Sequence, residues 1–338
     1  MSLRDQRSNP LLLGIGYITL VRNDEQINSH CEGSITPSIY KEIISLSLIM
    51  TLILLSKIKN MKIGFFITAR LKSSRLKQKI LLDLNGKSVL DRVIERAKNV
   101  KGIDGVVLCT STNPQDSELY NNALSNQIQF YAGSEDDVLD RLLGAAKYYG
   151  YDAFVSITAD NPLFSIYTSS LLVDMYKKEQ HDFINTKGLP IGCGTYLLNT
   201  KALEVVNFMK QQSDTEIWGP FINRPEFFNV AELQVENALF DEKQRITLDY
   251  PEDYKFFRAI YKNFERDAIP SLVDVLDLLK KQSEIRLLNK EKTQLGIPEE
   301  VMQKIDQEFE ANKEKALAFA KKNDKSLKPN LNIIKIEI

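Results

Sequence analysis

The chain of 338 residues carries 44 Lys and Arg against 45 Asp and Glu, a formal net charge of −1, with 43% hydrophobic and 26% charged residues. Such a length buries one large core or two modest ones, and such a balance carries no global signature of a nucleic-acid binder. Three distant cysteines (Cys31, Cys109, Cys193) and two histidines (His30, His181) build no disulfide framework, CxxC zinc pattern or His-rich metal site. The cysteines read as reduced cytoplasmic thiols, and a metal would be held by carboxylates, which suits Mg²⁺.

Residues 1–60 lack a clean period until an uncharged apolar run from Ile43 to Ser56. It falls short of the roughly 20 residues that span a bilayer. A signal or anchor segment is one reading, although no charged region or small-residue cleavage site is evident. A leader or other non-domain extension ahead of Met61 is the expected one.

From Met61 apolar strands alternate with amphipathic helices. Ile63–Ile67 is an uncharged strand, as expected where both faces are covered. Ser88 is placed to N-cap a helix, with Asp91 at the capping-box position and an apolar stripe of Leu90, Val93, Ile94 and Ala97. Gly105–Thr110 is the next buried strand. Asn113-Pro114 opens another helix, since Pro is favoured at the first helical position. Ile128–Tyr131 is a short strand, Ser134 caps a helix carrying Leu139, Leu142, Leu143 and Ala146, and Ala153–Thr158 is a fourth strand. Helical crossovers between strands predict an α/β fold with a mainly parallel sheet flanked by helices.

Beyond about residue 183 the pattern is mixed. Tyr196–Leu198, Asn229–Gln234 and Arg245–Leu248 read as strands. Lys201–Met209 and Asp253–Phe264 read as helices, and Ser271 caps a last amphipathic helix through Lys281. From Pro298 to about Lys322 the chain is charged and helical with few large apolar residues, a peripheral helix or an oligomer contact. The expected organisation is a non-domain segment over 1–60, a domain over 61–290 and a peripheral helical extension over 291–338.

In parallel sheets ligands sit beyond the carboxyl ends of the strands, so the segments that follow strands are where chemistry is sought. Ala69-Arg70-Leu71-Lys72-Ser73-Ser74-Arg75-Leu76-Lys77-Gln78-Lys79 packs five cations and two hydroxyls directly after the first strand. Such a loop can wrap a triphosphate with charge-assisted hydrogen bonds. It has neither the GxxxxGK[ST] of a P-loop nor GxGxxG, and the plain alternative is a solvated basic loop. In Thr158-Ala159-Asp160-Asn161-Pro162-Leu163 a carboxylate just past a buried strand can hold Mg²⁺ against phosphate oxygens, or simply cap a turn. Arg245-Ile246-Thr247-Leu248-Asp249-Tyr250-Pro251-Glu252-Asp253 ends in a second such carboxylate, with Glu252 and Asp253 as helix caps. Gly133-Ser134-Glu135-Asp136-Asp137-Val138-Leu139-Asp140-Arg141 reads as a capped helix whose Arg141, two turns on, can support the same rim.

These four motifs, in this order from Met61 to about Phe264, resemble those of the sugar cytidylyltransferases, the group that includes the 3-deoxy-manno-octulosonate and acylneuraminate enzymes. The spore-coat polysaccharide branch is the nearest. The matching patterns are Arg70-x3-Ser74-Arg75-Leu76-x2-Lys79, Gly133-Ser134-x2-Asp137-Val138-Leu139-Asp140-Arg141, Asp160-x-Pro162-Leu163 and Asp249-x-Pro251-Glu252-Asp253. The chain departs from the family at Lys77-Gln78, where Pro-Gly is usual, and at Ala159, where Gly is usual. Neither change removes a functional group.

The resemblance implies a Rossmann-like nucleotide-diphospho-sugar transferase fold and CMP transfer from CTP to an acidic or modified sugar, with release of pyrophosphate, in surface polysaccharide or glycoconjugate synthesis. It implies that Arg70, Arg75, Lys79 and Asp160 are catalytic and that Asp160 and Asp249 bind Mg²⁺. The nucleotide pocket would be lined by Ala69, Arg70, Ser74, Arg75, Lys79, Thr110, Ser111, Asp116, Ser134 and Arg141. Pro190-Ile191-Gly192 and Asp214-Thr215-Glu216-Ile217-Trp218-Gly219-Pro220 match only the spore-coat-like branch, and place Gly192, Glu216 and Trp218 on the acceptor side. The expected partners are CTP and a small sugar, in a cytoplasmic protein, a possible homodimer, that binds no nucleic acid and inserts stably in no membrane. The rivals are GMP or UMP transfer to a sugar 1-phosphate on the same fold, and a glycosyltransferase or non-catalytic nucleotide-sugar binder.

Overall fold

The computed structural model describes residues 45–47, 49, 61–73, 75–212, 214–236, 244–294 and 296–337. The chain divides between Leu55 and Ser56, and everything below concerns the second unit. In the first, 45–47 and 49 are helical; the reading of 1–60 as a leader otherwise lies outside the described residues.

The strands are β1 (Ile63–Thr68), β2 (Gly105–Ser111), β3 (Gln129–Gly133), β4 (Ala153–Thr158), β5 (Phe183–Lys187), β6 (Tyr196–Asn199), β7 (Asn229–Val235) and β8 (Asn330–Ile336). The helices are α1 (Val89–Lys98), α2 (Leu119–Ser125), α3 (Val138–Tyr149), α4 (Ile166–Lys178), α5 (Thr200–Met209), α6 (Gly219–Ile222), α7 (Pro251–Tyr261), α8 (Leu272–Lys281), α9 (Ser283–Arg286) and α10 (Glu299–Lys322). One sheet runs in the order β3-β2-β1-β4-β6-β5-β7-β8. Every neighbouring pair is parallel except those of β6, which is antiparallel to both β4 and β5.

The uncharged strands are buried on both faces because each feeds two cores. Ile63, Phe65 and Ile67 of β1 point to one, with Leu90, Val93 and Ile94 of α1 and Leu172 and Val173 of α4. Phe66 points to the other, with Leu139 and Leu142 of α3, Ala202 and Leu203 of α5, and Ile305 and Phe309 of α10. A third cluster joins Leu84, Leu163, Ile246 and Leu248 to Phe256 and Phe257 of α7 and Val275 of α8. The capping box expected at Ser88–Asp91 forms, and the cap expected at Ser271 forms too, as a box completed by Asp274.

The topology positions the site. From β1 the chain steps outward to β2 and β3, then returns to the other flank of β1 with β4. Loops leaving β1 and β4 therefore diverge at a topological switch point, where α/β sheets open a crevice. Thr68 and Thr158, the last residues of these strands, are direct partners in the ladder.

Several expectations are corrected. The helix assigned to a Ser134 cap starts at Val138, with Asp137 as N-cap accepting from Asp140 N; Ser134 Oγ accepts instead from Asp137 N, 3.1 Å. Arg245–Leu248 is not a strand. Only Arg245 bridges Ile191, and the segment spends its amides on loops, Ile246 N on Ile191 O (2.8 Å) and Leu248 N on Asp160 O (2.9 Å). Helix α4 escaped the sequence reading because it is rich in Ser, Thr and β-branched residues at its start, with only a weak apolar stripe. The C-terminal segment is more than a peripheral helix. Burying Ile305 and Phe309 contributes about 1.5–3 kcal/mol each, and β8 extends the sheet as a strand parallel to β7.

Candidate active site

The basic loop after β1 is anchored at its start by backbone bonds. Ala69 N donates to Cys109 O (3.0 Å), extending the ladder by one residue. Leu71 N donates to Oδ1 of the buried Asp116 (2.7 Å), whose other oxygen accepts from Ser111 Oγ. Asp116 and Ser111 thus clamp the loop. Leu76 packs against the third cluster and holds its far limb. Gln78 then takes a left-handed conformation (φ 47°) and delivers Lys79 into a short 3₁₀ turn.

Between its anchors the loop presents its cations separately. Arg70 forms an ion pair with Glu216. Lys72 meets Glu135 at 3.3 Å. Arg75 donates to Tyr250 Oη (3.0 Å) and Asp249 Oδ1 (3.3 Å), its guanidinium lying 4.9 Å from the Tyr250 ring centre. Lys79 reaches deepest. Its Nζ donates to Asp160 Oδ2 (2.6 Å) and Asp249 Oδ1 (2.9 Å). Burial by itself would lower the pKa of this ammonium, but the charges of Asp160 and Asp249 and the hydrogen bonds to them outweigh it and raise it. Burial would likewise push the Asp249 carboxyl up, yet Lys79 and Arg245 hold it below its ordinary value. The pair is ionised on both sides.

The two carboxylates arrive from different elements and are pinned by their outer oxygens. Asp160 Oδ1 accepts from Thr158 Oγ1 (2.5 Å) and Asn161 Nδ2 (3.1 Å). Asp249 Oδ2 accepts from Arg245 Nη2 (2.6 Å). Arg245 is 4% exposed and also holds Asp253, which accepts from the amides of Asp249 and Tyr250 (both 2.9 Å) at the start of α7. The inner oxygens, Asp160 Oδ2 and Asp249 Oδ1, converge on the point taken by Lys79 Nζ. Among the described residues no group of three His, Cys, Asp or Glu could hold a metal ion. Two convergent carboxylate oxygens do fit Mg²⁺, which keeps several waters and takes its remaining ligands from substrate phosphates.

The other expected residues fall into separate groups. Arg141 is buried under the turn after β3, donating to the carbonyls of Ser134 and Glu135; burial lowers its pKa. Its Nε and the hydroxyl of Thr110, near the end of β2, are buried with no hydrogen-bond partner among the described residues. Trp218, two residues past Glu216, packs edge-on against Tyr196, ring centres 5.5 Å apart. Gly192 lies against Asn161 and Ile246. Ser74 lies outside the described residues. Sequence reasoning missed Arg245, Tyr250, Thr158 and Asn161 as site residues. The signal for Arg245 was its place four residues before Asp249 and eight before Asp253, hidden by reading the segment as a strand.

Gly192 has φ +89°, and a Cβ there would stand 2.3 Å from Ile246 O and 2.6 Å from Asn161 Oδ1. The carbonyl cannot retreat freely, since the same stretch is tied by the Ile246 N–Ile191 O bond. Gly192→Ala is expected to cost at least about 1–3 kcal/mol from the backbone conformation, read as a melting temperature lowered by several degrees. A variant that melts with the wild type would show that this contact relaxes without cost.

Comparison with known proteins bears on the same region. A family model described as Cytidylyltransferase matches residues 65–323. An uncharacterized protein of Methanocaldococcus jannaschii is 32% identical over 231 residues, 68% of this chain and 95% of its own. The spore coat polysaccharide biosynthesis protein SpsF of Bacillus subtilis is 23% identical over 224 residues, 64% of this chain and 93% of its own. A solved cytidylyltransferase from Leptospira borgpetersenii superposes with a TM-score of 0.62 at 26% identity, covering 70% of this chain and 100% of that one.

Proposed function

The chain belongs to the cytidylyltransferase family, and on that premise we propose that it transfers CMP from CTP to an acidic or modified sugar, releasing pyrophosphate. The observation that carries this reading is the meeting of Arg75, Lys79, Asp160 and Asp249 at the switch point of the sheet. Phosphate-gripping cations and metal-holding carboxylates converge there with no nucleophile or His base among them. That set suits a reaction in which nothing covalent forms on the protein and catalysis is positioning plus charge stabilisation.

In this reading a sugar hydroxyl oxygen attacks the α-phosphate in line, the bond to the β-phosphate breaks with pyrophosphate leaving, and the hydroxyl proton is released to solvent. Arg75 and Lys79 hold the departing pyrophosphate. Asp160 and Asp249 are the residues that would hold Mg²⁺, which when bound neutralises phosphate charge and polarises the attacking hydroxyl. The clamp of Asp116 on Leu71 N and the packing of Leu76 fix the loop backbone, so its cations approach the phosphates from anchored positions. The Thr110 hydroxyl and Arg141 Nε, unpartnered among the described residues, support the end of β2 and the turn after β3 as the nucleotide side. The aromatic pair of Tyr196 and Trp218, the latter two residues past Glu216, supports an acceptor side beyond Arg70. A role in polysaccharide synthesis is supported by the name of the Bacillus subtilis relative. Among the described residues no helix is long and apolar enough to cross a membrane, and we propose a cytoplasmic site of action.

The test is a pyrophosphate-release screen of the purified protein with Mg²⁺, crossing four nucleoside triphosphates with 3-deoxy-manno-octulosonate, nonulosonic acids and sugar 1-phosphates. Release with CTP and one of these acceptors is expected. Release only with GTP or UTP and a sugar 1-phosphate would replace CTP in this reading. No release with any pair would overturn it.

A further inference from the structure

We infer that Lys79 is the resident cation of the Asp160–Asp249 site, and that a divalent ion enters only when a nucleotide draws the lysine off the carboxylates. The inference rests on the proposed reading of Asp160 and Asp249 as metal-holding residues. It goes beyond that reading in stating what fills the site before the nucleotide binds.

The geometry is specific. The outer oxygens of both carboxylates are engaged by fixed neighbours, Asp160 Oδ1 by Thr158 and Asn161, and Asp249 Oδ2 by Arg245. The inner oxygens share one ammonium, at 2.6 and 2.9 Å. A metal bridging those inner oxygens and Lys79 Nζ cannot hold the same place. The site therefore has two occupants that exclude each other, and the folded chain supplies one.

Charge points the same way. Asp160, Asp249 and Asp253 face Lys79, Arg75 and Arg245 in one connected network. Three carboxylates balance three cations. A divalent ion added to this neutral cluster gains no net attraction and meets an ammonium at contact distance, partly buried and so weakly screened. A triphosphate changes the balance. It offers Lys79 and Arg75 oxygens of higher charge density, and those two can swing because both are side chains of the loop. Arg245, 4% exposed and doubly bonded to Asp253, stays. The carboxylates are then left facing the phosphates with a deficit of positive charge, which a divalent ion fills. Lys79 thus does two jobs in sequence, counter-ion to the carboxylates and then ligand to phosphate, and metal and nucleotide bind with positive coupling.

The experiment measures Mn²⁺ binding to the full chain by electron paramagnetic resonance, without nucleotide. Wild type is expected to bind weakly at this site. Lys79→Met, which keeps an unbranched side chain one atom shorter and removes its charge, is expected to bind Mn²⁺ at least about tenfold more tightly, since the cluster is then one positive charge short. Adding Asp160→Asn to Lys79→Met should abolish the gain and so locate it. Lys79→Gln serves the same purpose if the methionine variant melts early. Wild type binding Mn²⁺ as tightly as either variant would overturn the inference, as would a gain that survives Asp160→Asn. The outcome is independent of turnover. A gain of Mn²⁺ binding in Lys79→Met together with no pyrophosphate release by the wild type with any nucleotide and acceptor would leave the resident cation standing and overturn the proposed reaction instead.

Discussion

Asp160→Asn and Asp249→Asn are each expected to lower turnover by at least ~10²-fold at saturating CTP and Mg²⁺, the usual scale for losing one preorganised electrostatic group, while the fold survives. Asparagine keeps the shape and removes the charge. At Asp160 the outer contacts to Thr158 and Asn161 are those of a loop at the surface of the crevice, so little stability should go with the activity. At Asp249 the same change removes one of the two carboxylate partners of the buried Arg245. Breaking a buried pair outright costs about 3–5 kcal/mol, but Asp253 remains to hold the guanidinium, so the loss should be smaller. Asp249→Asn is therefore expected to melt below Asp160→Asn while both lose turnover alike. Pyrophosphate release and thermal melting on the same preparations check both parts. Near-normal turnover in either variant would remove that residue from the metal site.

How far the sequence announced this arrangement depends on the range of each interaction. The uncharged strands β1, β2 and β4 and the helix caps at Ser88 and Ser271 were legible because period and local hydrogen bonds are written within a few residues. Asp160 and Asp249 were legible as strand-end or loop carboxylates, and the resemblance paired them. Their pairing through one lysine was not, because Lys79 lies 81 residues from Asp160 and 170 from Asp249, and nothing local says that three loops meet. Arg245 was lost to a strand reading: its apolar neighbours Ile246 and Leu248 alternate as in a strand, but their backbone bonds go to the loops at Ile191 and Asp160. Strand β8 was hidden by composition. Its Asn330, Asn332 and Lys335 break the apolar run, and only pairing with β7 makes it a strand. Asp116 was assigned to the nucleotide by family position. In the fold it accepts from Leu71 N and Ser111 Oγ, so it ties the loop that carries the cations to the end of β2.

The proposed role of the basic loop in holding phosphate is tested at Arg75. Its side chain is 46% exposed and meets Asp249, 12% exposed, at 3.3 Å, and a pair open to water on the arginine side is worth about 0–1 kcal/mol. Removing it should hardly change the melting temperature, so a loss of binding in Arg75→Ala reports on the ligand. If Arg75 grips the pyrophosphate end, the loss falls on CTP and spares CMP, which lacks the β- and γ-phosphates. A hydrogen bond to a charged group is worth about 1.5–3 kcal/mol, and each 1.4 kcal/mol is a factor of ten. Arg75 must first leave Tyr250 and Asp249, which subtracts up to the value of an exposed pair from its net contribution. Arg75→Ala is accordingly expected to weaken CTP binding by roughly 10- to 100-fold, toward the lower end, and CMP binding by less than about threefold. Calorimetric titration of wild type and variant with each nucleotide in Mg²⁺ makes the comparison within one protein. Equal small losses for CTP and CMP would leave the loop a solvated basic turn and move the triphosphate elsewhere. A large equal loss would place Arg75 at the α-phosphate or the ribose, where both nucleotides touch it.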